Sequence, residues 1–232
     1  MGPIGTRAEW LAARRALLAE EKALTRFRDE LAAERRALPR VRIAKDYRFE
    51  GPAGPLGLAD LFAGRRQLML YHFMLGPDWT EPCKSCSFWA EHFDTIRVHA
   101  GERDAELAAA SRAPLPRIEA IKARFGWRFP WVSSLGSDFN ADFGVTFTPE
   151  QEGQPLYNFG ERTAMKGEMP GLSVFALDAA GQVFHTYSTY ARGLDALNGT
   201  YQILDLVPQG RKEAGLPWPM AWVKHTDRYR TG

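Results

Sequence analysis

Both cysteines of this sequence lie in one short motif, Cys83-Lys84-Ser85-Cys86. An apolar run at 68–75, typical of a buried strand, precedes the motif, and a helical pattern follows it. A thiol attacks a disulfide only as the thiolate, and the unpaired N–H groups and dipole of a helix N-terminus stabilise that form. We therefore predict that Cys83, at the mouth of the helix, is a nucleophile and that Cys86, one turn inside, resolves the mixed disulfide.

The sequence leaves three other roles for the two cysteines open. A structural disulfide would close too short a loop to add much stability. A zinc site would need two more ligands from the five histidines, and His92 and His99 do not have the usual ligand spacing. Two inert core cysteines are the third alternative. The sequence predicts no bound metal and no cofactor.

Composition limits the partners and the compartment. The chain has 232 residues, with 30 basic and 28 acidic side chains and a formal net charge of +2. This near-balance does not favour nucleic acid or an anionic membrane. No apolar run is long enough for a transmembrane helix, and no secretory signal is evident. We expect a cytoplasmic protein, in which two cysteines favour a catalytic pair over a disulfide scaffold.

The first 39 residues predict one long helix. Thr6 and Glu9 have the spacing of a capping box, helix-forming residues continue to residue 37, and Pro39 ends the helix. Leucines recur every seven residues, but charged residues occupy the other seam position of a coiled coil. These charged residues are Arg14, Glu21, Arg28 and Arg35. We expect a surface helix docked on its own domain, with a homodimer contact as the alternative, and divide the chain into 1–39 and 40–232.

From residue 40 onward, short strands and helices alternate. Apolar runs predict strands at 68–75 and 106–111, and a hairpin formed by 172–177 and 182–187. Apolar residues at helical spacing predict helices around Trp89 to Ile96, Ile118 to Phe125 and Leu194 to Leu206. The Gly- and Pro-containing stretch 148–171 predicts a long loop, of the kind that often carries function. This order is typical of an α/β domain with a mixed sheet.

Several motifs together resemble one family. They are Cys83 to Ala90, Ser111 to Pro114, Gly126 to Ser134, Asp138 to Asn140, His185 to Tyr190 and Arg192-Gly193. They resemble a thioredoxin-like family of predicted dithiol–disulfide oxidoreductases, first known as a domain of unknown function, over nearly the whole chain. The resemblance implies a thioredoxin-like three-layer fold with a mixed central sheet and peroxiredoxin-like N-terminal elements. It also implies that Cys83 and Cys86 are the redox pair, and that Pro170 is the cis-proline that thioredoxins place beside it.

The expected activity is exchange of disulfides between a protein or small-molecule disulfide and an electron donor. We predict Cys83 and Cys86 as catalytic residues, and Trp79, Thr80 and Pro170 as residues that contact the substrate. The Lys-Ser dipeptide between the cysteines differs from the Gly-Pro of thioredoxin, so the redox potential does not carry over.

Two rival functions remain. A peroxiredoxin-like peroxidase would use Cys83 with Thr80, which stands at the expected three residues ahead, although Pro77 is one residue too near. The arginine that polarises peroxide would come from Arg128, Arg162 or Arg192 through the fold. Alternatively, the long helix and the aromatic tail of Trp218, Trp222 and Tyr229 could form an interaction module without activity.

Overall fold

The computed structural model describes residues 2–229. The helices are α1 (Arg7–Ala37), α2 (Lys84–Ala90), α3 (Phe93–Gly101), α4 (Leu115–Phe125), α5 (Phe139–Asp142) and α6 (Gly199–Leu204). The strands are β1 (Val41–Arg42), β2 (Arg48–Gly51), β3 (Gly54–Gly57), β4 (Gln67–His72), β5 (Ala105–Ser111), β6 (Trp131–Ser133), β7 (Thr146–Phe147), β8 (Gly167–Glu168), β9 (Gly171–Leu177) and β10 (Val183–Tyr190).

Eight of these strands form one mixed sheet in the order β1-β10-β9-β4-β5-β6-β2-β3. β4, β5 and β6 are parallel, as the helical crossovers between them require, whereas β9 and β10 form an antiparallel hairpin whose first strand pairs with β4. β4 lies at the centre, which explains its uninterrupted apolar sequence: both of its faces are covered. The predicted mixed sheet is confirmed.

Two apolar clusters cover the two faces of this sheet. One joins Tyr71 of β4 to residues of α2, α3, α4 and α6, and the other joins Leu70 to residues of α5, β2 and the 3-10 turn Asp60–Phe62. Neighbouring residues of β4 thus belong to opposite cores, as strand alternation dictates. The arrangement is the thioredoxin-like fold expected from the sequence, with helices on both sides of a mixed sheet and β2 and β3 added at its edge.

The long helix α1 begins and ends as predicted but does not dock. Thr6 caps it in a complete capping box with Glu9, and Leu38 follows its last turn. None of its side chains is buried: Trp10 is 51% exposed and Phe27 is 59% exposed. The prediction that α1 docks on its own domain is therefore wrong. The apolar stripe is narrow and charged residues flank it, so it does not form the broad apolar face that docking requires.

Two predicted helices are interrupted. The helix expected across Trp89 and Ile96 breaks between α2 and α3, where the N–H of His92 donates to the carbonyl of Trp89 at 3.1 Å in a tight 3-10 turn. The helix expected at 194–206 is a 3-10 segment, Ala191–Leu197, followed by α6. Asn198 separates the two and caps α6 by accepting the N–H of Tyr201 at 3.0 Å.

The stretch predicted as a long loop folds on itself. β8, inside it, pairs with β7, which lies directly before it, and Tyr157 and Arg162 form an isolated antiparallel bridge. Its apolar side chains form a third small cluster around Tyr157, which also includes Tyr190 from the end of β10. This excursion, the segment between β7 and β8, is therefore anchored to the main sheet.

Candidate active site

The two cysteines lie where the sequence predicts, at the start of the helix that follows the central strand. Cys83 is the N-cap residue of α2, and its carbonyl accepts the N–H of Ser87 at 2.9 Å. Its own N–H donates to the carbonyl of Met74 at 3.2 Å, which ties the helix start to the loop after β4. Cys83 is partly exposed, whereas Cys86 on the first turn is 1% exposed. Both thiols are free, so the structure is that of the reduced pair.

The surroundings shift the pKa values of the two thiols in opposite directions. A hydrogen bond from the Cys86 thiol, aided by the backbone N–H of Cys86 and by Ser85, lowers the pKa of Cys83 to about 6 against the opposing effect of burial. Burial, followed by the neighbouring Cys83, raises the pKa of Cys86 well above its ordinary value. Tyr71 and the N–H of Met74 oppose that rise only in part. Near neutral pH the pair therefore consists of one thiolate and one thiol.

The segment before the pair is fixed by contacts from distant parts of the chain. Arg117 of α4 donates to the carbonyl of Trp79. The buried His225 contacts the carbonyl of Pro82 through Nε2 at 3.0 Å, and Lys84 donates to the carbonyl of Ala221 at 2.9 Å. The C-terminal segment thus packs across the start of α2 and holds the cysteine loop in place.

Trp79 and Thr80, predicted to contact the substrate, have different environments. Trp79 is partly buried and packs against the main apolar cluster, whereas Thr80 is exposed. Within residues 2–229 the Thr80 hydroxyl has no hydrogen bond. Thr80 is also not among the groups that lower the pKa of Cys83, which are Cys86 and Ser85. Substrate contact by Trp79 and Thr80 stays a prediction.

The peptide bond before Pro170 is not the expected one. No peptide bond in residues 2–229 is cis, so the prediction that Met169–Pro170 is cis is wrong. The trans form is the favoured one, and the backbone on both sides is tied to its surroundings. Met169 donates to the carbonyl of Val145 at 2.8 Å, and the Pro170 carbonyl accepts the Tyr157 hydroxyl at 2.6 Å. Pro170 nevertheless lines the same cavity as Cys86.

That cavity has a volume of about 780 Å³. Its buried part includes Tyr71, Cys86 and Trp89, and its exposed part includes Arg162 and Arg192. Two of the three arginines proposed for a peroxide site therefore line the same cavity as Cys86. The third, Arg128, does not line this cavity; its side chain is 84% exposed and lies 3.9 Å from Asp94.

Three residues of the site were missed by the sequence analysis. Tyr71 hydrogen-bonds Cys86, and Ser85 hydrogen-bonds Cys83 through its backbone and its hydroxyl. Tyr157 connects three segments around the cavity. Tyr71 could have been suspected as a polar residue inside an apolar strand that leads to the cysteines, and Ser85 from its place between them. Nothing in the sequence points to Tyr157, because its partners are far away along the chain.

Residues 2–229 contain neither a metal-binding cluster nor a membrane-spanning helix. This part of the chain contains no group of three or more His, Cys, Asp and Glu side chains placed to hold a metal ion. Its helices include none that is both long and apolar enough to cross a membrane.

Solved structures similar to this chain include two peroxiredoxins. Peroxidoxin BcpB from Mycobacterium tuberculosis is 16% identical, with a TM-score of 0.48, 72% of this chain covered and 97% of that chain. Peroxiredoxin Q from Xanthomonas campestris is 14% identical, with a TM-score of 0.47, 72% of this chain covered and 98% of that chain.

A protein described as a thiol:disulfide interchange protein DsbE, from Chlorobium tepidum, is also similar. It is 17% identical, with a TM-score of 0.41, 72% of this chain covered and 96% of that chain.

No curated protein matches the sequence. One protein family does, and it matches almost the full length, from residue 1 to residue 229. The matched residues therefore include both cysteines, Pro170 and the C-terminal segment that packs across α2. The chain belongs to the family described as "Bacterial protein of unknown function (DUF899)".

Proposed function

We propose that this protein is a thiol–disulfide oxidoreductase that exchanges disulfides through Cys83 and Cys86. One observation carries the proposal: the partly exposed Cys83 caps α2, where the hydrogen bond from the Cys86 thiol lowers its pKa to about 6, while burial raises the pKa of Cys86. Disulfide exchange needs such a pair, because the attacking sulfur must be a thiolate and the resolving sulfur must wait as a thiol.

In this reaction Cys83 attacks one sulfur of a substrate disulfide and expels the other as a thiolate, which takes up a proton. Cys86 then loses its proton and attacks Cys83, forming the intramolecular disulfide and releasing the second substrate thiol. Two electrons pass from the protein to the substrate. An external thiol donor restores the reduced pair, and the same steps in reverse would oxidise a dithiol substrate.

A thiol peroxidase is the second candidate, and the position of Arg162 and Arg192 supports it. Both line the cavity that contains Cys86, where a guanidinium could polarise a peroxide. In that reaction the Cys83 thiolate would attack one peroxide oxygen, and the O–O bond would break to expel hydroxide or alkoxide, which takes up a proton. Cys86 would then condense with the resulting sulfenic acid, forming the disulfide and releasing water. The exposed Thr80, without a hydrogen bond in the described chain, makes this the weaker candidate.

The third candidate, a binding module without activity, is less well supported. A binding module would need the aromatic tail as a free surface. Trp222 instead packs edge-to-face on Phe88 of α2 and donates to Glu213 at 2.8 Å, although Trp218 is 57% exposed. The tail therefore has a structural role beside the cysteines.

A paired assay tests the proposal. Reduction of insulin disulfides in the presence of dithiothreitol should be measured beside consumption of hydrogen peroxide, for the wild type, Cys83→Ser and Cys86→Ser. We expect insulin reduction that is abolished in Cys83→Ser, with little peroxide turnover. Fast peroxide consumption that falls in Thr80→Val, without insulin reduction, would instead establish the peroxidase.

A further inference from the structure

The cavity that Cys86 lines has more cationic than acidic side chains in its lining. Its carboxylates are already engaged. Asp205 forms two 2.7 Å hydrogen bonds with Arg211, and Asp195 contacts the same arginine at 3.0 Å. Glu213 accepts hydrogen bonds from the Tyr201 hydroxyl and from Met220 and Trp222. With these three carboxylates and four cations, the cavity lining has a net charge of +1.

Three more cations line the cavity, and among them only Arg192 contacts a carboxylate of residues 2–229. Within residues 2–229, Arg162 and Lys212 have exposed side chains without an ion pair or a side-chain hydrogen bond. Arg192 has one loose contact, 3.5 Å from Asp195, and its side chain is 84% exposed. The buried end of the cavity, with Cys86, is mostly apolar. The cavity therefore combines Cys86, the hydrogen-bond partner of the attacking Cys83, with a cationic rim.

Tyr157 fixes two of these cations relative to the sulfurs. Its backbone forms two 3.1 Å hydrogen bonds with the backbone of Arg162, and its hydroxyl donates to the carbonyl of Pro170 at 2.6 Å. The same hydroxyl accepts the N–H of Ala191, the neighbour of Arg192, at 2.9 Å. Since Tyr157 is 2% exposed, this junction is part of the folded core. The rim is thus built by the excursion between β7 and β8 together with the end of β10.

From this charge arrangement we propose that the cavity is a binding site for a low-molecular-weight disulfide that carries carboxylate groups, with Arg162, Arg192 and Lys212 as specificity-determining residues. The proposal rests on the proposed function and names the substrate class for it. The volume of about 780 Å³ lies within the range of small-molecule sites. Guanidinium groups bind carboxylates through paired hydrogen bonds, and their charge attracts an anionic substrate toward the sulfurs.

With a disulfide RSSR, the exchange has two successive steps. Cys83 thiolate forms a bond to one sulfur while the RS–SR bond breaks and RS⁻ leaves. Cys86, after losing its proton, then bonds to Cys83 and expels the second RS⁻. Two thiols and one protein disulfide result, and the two electrons come from the cysteine pair.

The test compares two disulfides in a single turnover of the reduced protein. Oxidised glutathione is the anionic probe and 2-hydroxyethyl disulfide the neutral one. The variant Arg162→Gln/Arg192→Gln/Lys212→Gln should react with oxidised glutathione about tenfold more slowly, since each exposed cation contributes a factor of a few. Its rate with the neutral disulfide should change less than about twofold. Arg103→Gln, an exposed arginine before β5, is the matched control and should leave both rates unchanged.

A binding measurement separates this inference from the proposed function. Calorimetric titration of Cys83→Ser/Cys86→Ser with oxidised glutathione should show binding that disappears when the three cations are also replaced. If the wild type reacts with the neutral disulfide but the triple variant keeps its full rate with oxidised glutathione, the substrate class is wrong and the exchange activity stands. If oxidised glutathione binds through the three cations but neither disulfide reacts, the site stands and the exchange activity fails.

Discussion

At the residue scale, the chemistry depends on the different environments of two cysteines at the start of one helix. Cys83 caps α2 and receives hydrogen bonds from Cys86 and Ser85, whereas Cys86 is fully enclosed and lies against Tyr71. The spacing of the cysteines in the sequence predicts this asymmetry, because only the first one faces the open end of the helix. The sequence cannot give the contribution of Tyr71, which depends on the packing of a distant strand against the helix.

The pH dependence of alkylation measures this asymmetry. Because the pKa of Cys83 is about 6, its reaction with iodoacetamide should increase as pH rises through about 6 and should level off near neutral pH. Below that pH the thiol predominates and the rate falls. The transition should disappear in Cys83→Ser and remain in a Cys86→Ala variant, shifted upward by loss of the Cys86 hydrogen bond. A transition that vanishes only when Cys86 is replaced would reverse the two roles.

At the element scale, most strands were predictable and several helices were not. β4 and the β9–β10 hairpin follow from apolar runs and turn residues that act locally. The break between α2 and α3, the shortened C-terminal helix and the folded excursion around Tyr157 depend on contacts between residues far apart in the chain. The trans bond before Pro170 also lies in a segment that another part of the chain holds, because the Tyr157 hydroxyl donates to the Pro170 carbonyl. Local sequence patterns do not contain this information.

A buried ion pair between elements gives a test of the packing around β5. The carboxylate of Glu106 is completely buried and contacts Arg97 of α3 and Arg65 ahead of β4, the latter at 3.2 Å. Glu106→Ala would leave both guanidinium groups without their partner, and we expect a loss of about 3–5 kcal/mol in the free energy of unfolding. Urea denaturation measures this loss. Glu102→Ala, an exposed acidic residue near the end of α3, is the control and should change stability by less than about 0.5 kcal/mol. Equal effects for the two variants would show that the buried pair is unimportant.

At the scale of the whole molecule, α1 differs from the rest of the chain. Residues from 40 onward form the sheet and its cores, while α1 has no buried side chain and places Arg35 5.7 Å from the ring centre of Tyr187 in β10. The sequence predicts the helix and its cap correctly, but an apolar stripe does not indicate what covers it. The division into 1–39 and 40–232 and the homodimer stay predictions.

Sedimentation tests the role of α1. If the exposed stripe is a dimer contact, the full chain should sediment as a dimer and residues 40–232 as a monomer. Leu17→Glu/Leu24→Glu should also dissociate the full chain, since both leucines lie on the stripe and are about half exposed. Glu20→Gln/Glu34→Gln, a change of exposed charges on the same helix, is the control. A full-length chain that is monomeric at high concentration would exclude the dimer. Unfolding of residues 40–232 alone would show that α1 is part of the domain.

The most direct test of the central claim is to trap the intermediate of exchange. In Cys86→Ser the attacking cysteine remains but the resolving thiol is missing, so partners should stay bound to Cys83 through a disulfide and dissociate with dithiothreitol. Peptide mapping should place every such bond at Cys83, and Cys83→Ser should trap nothing. We predict mixed disulfides in Cys86→Ser after incubation with a disulfide substrate, together with little sulfenic acid after peroxide treatment. The account would be contradicted by a Cys86→Ser protein that forms no mixed disulfide and instead accumulates sulfenic acid at Cys83.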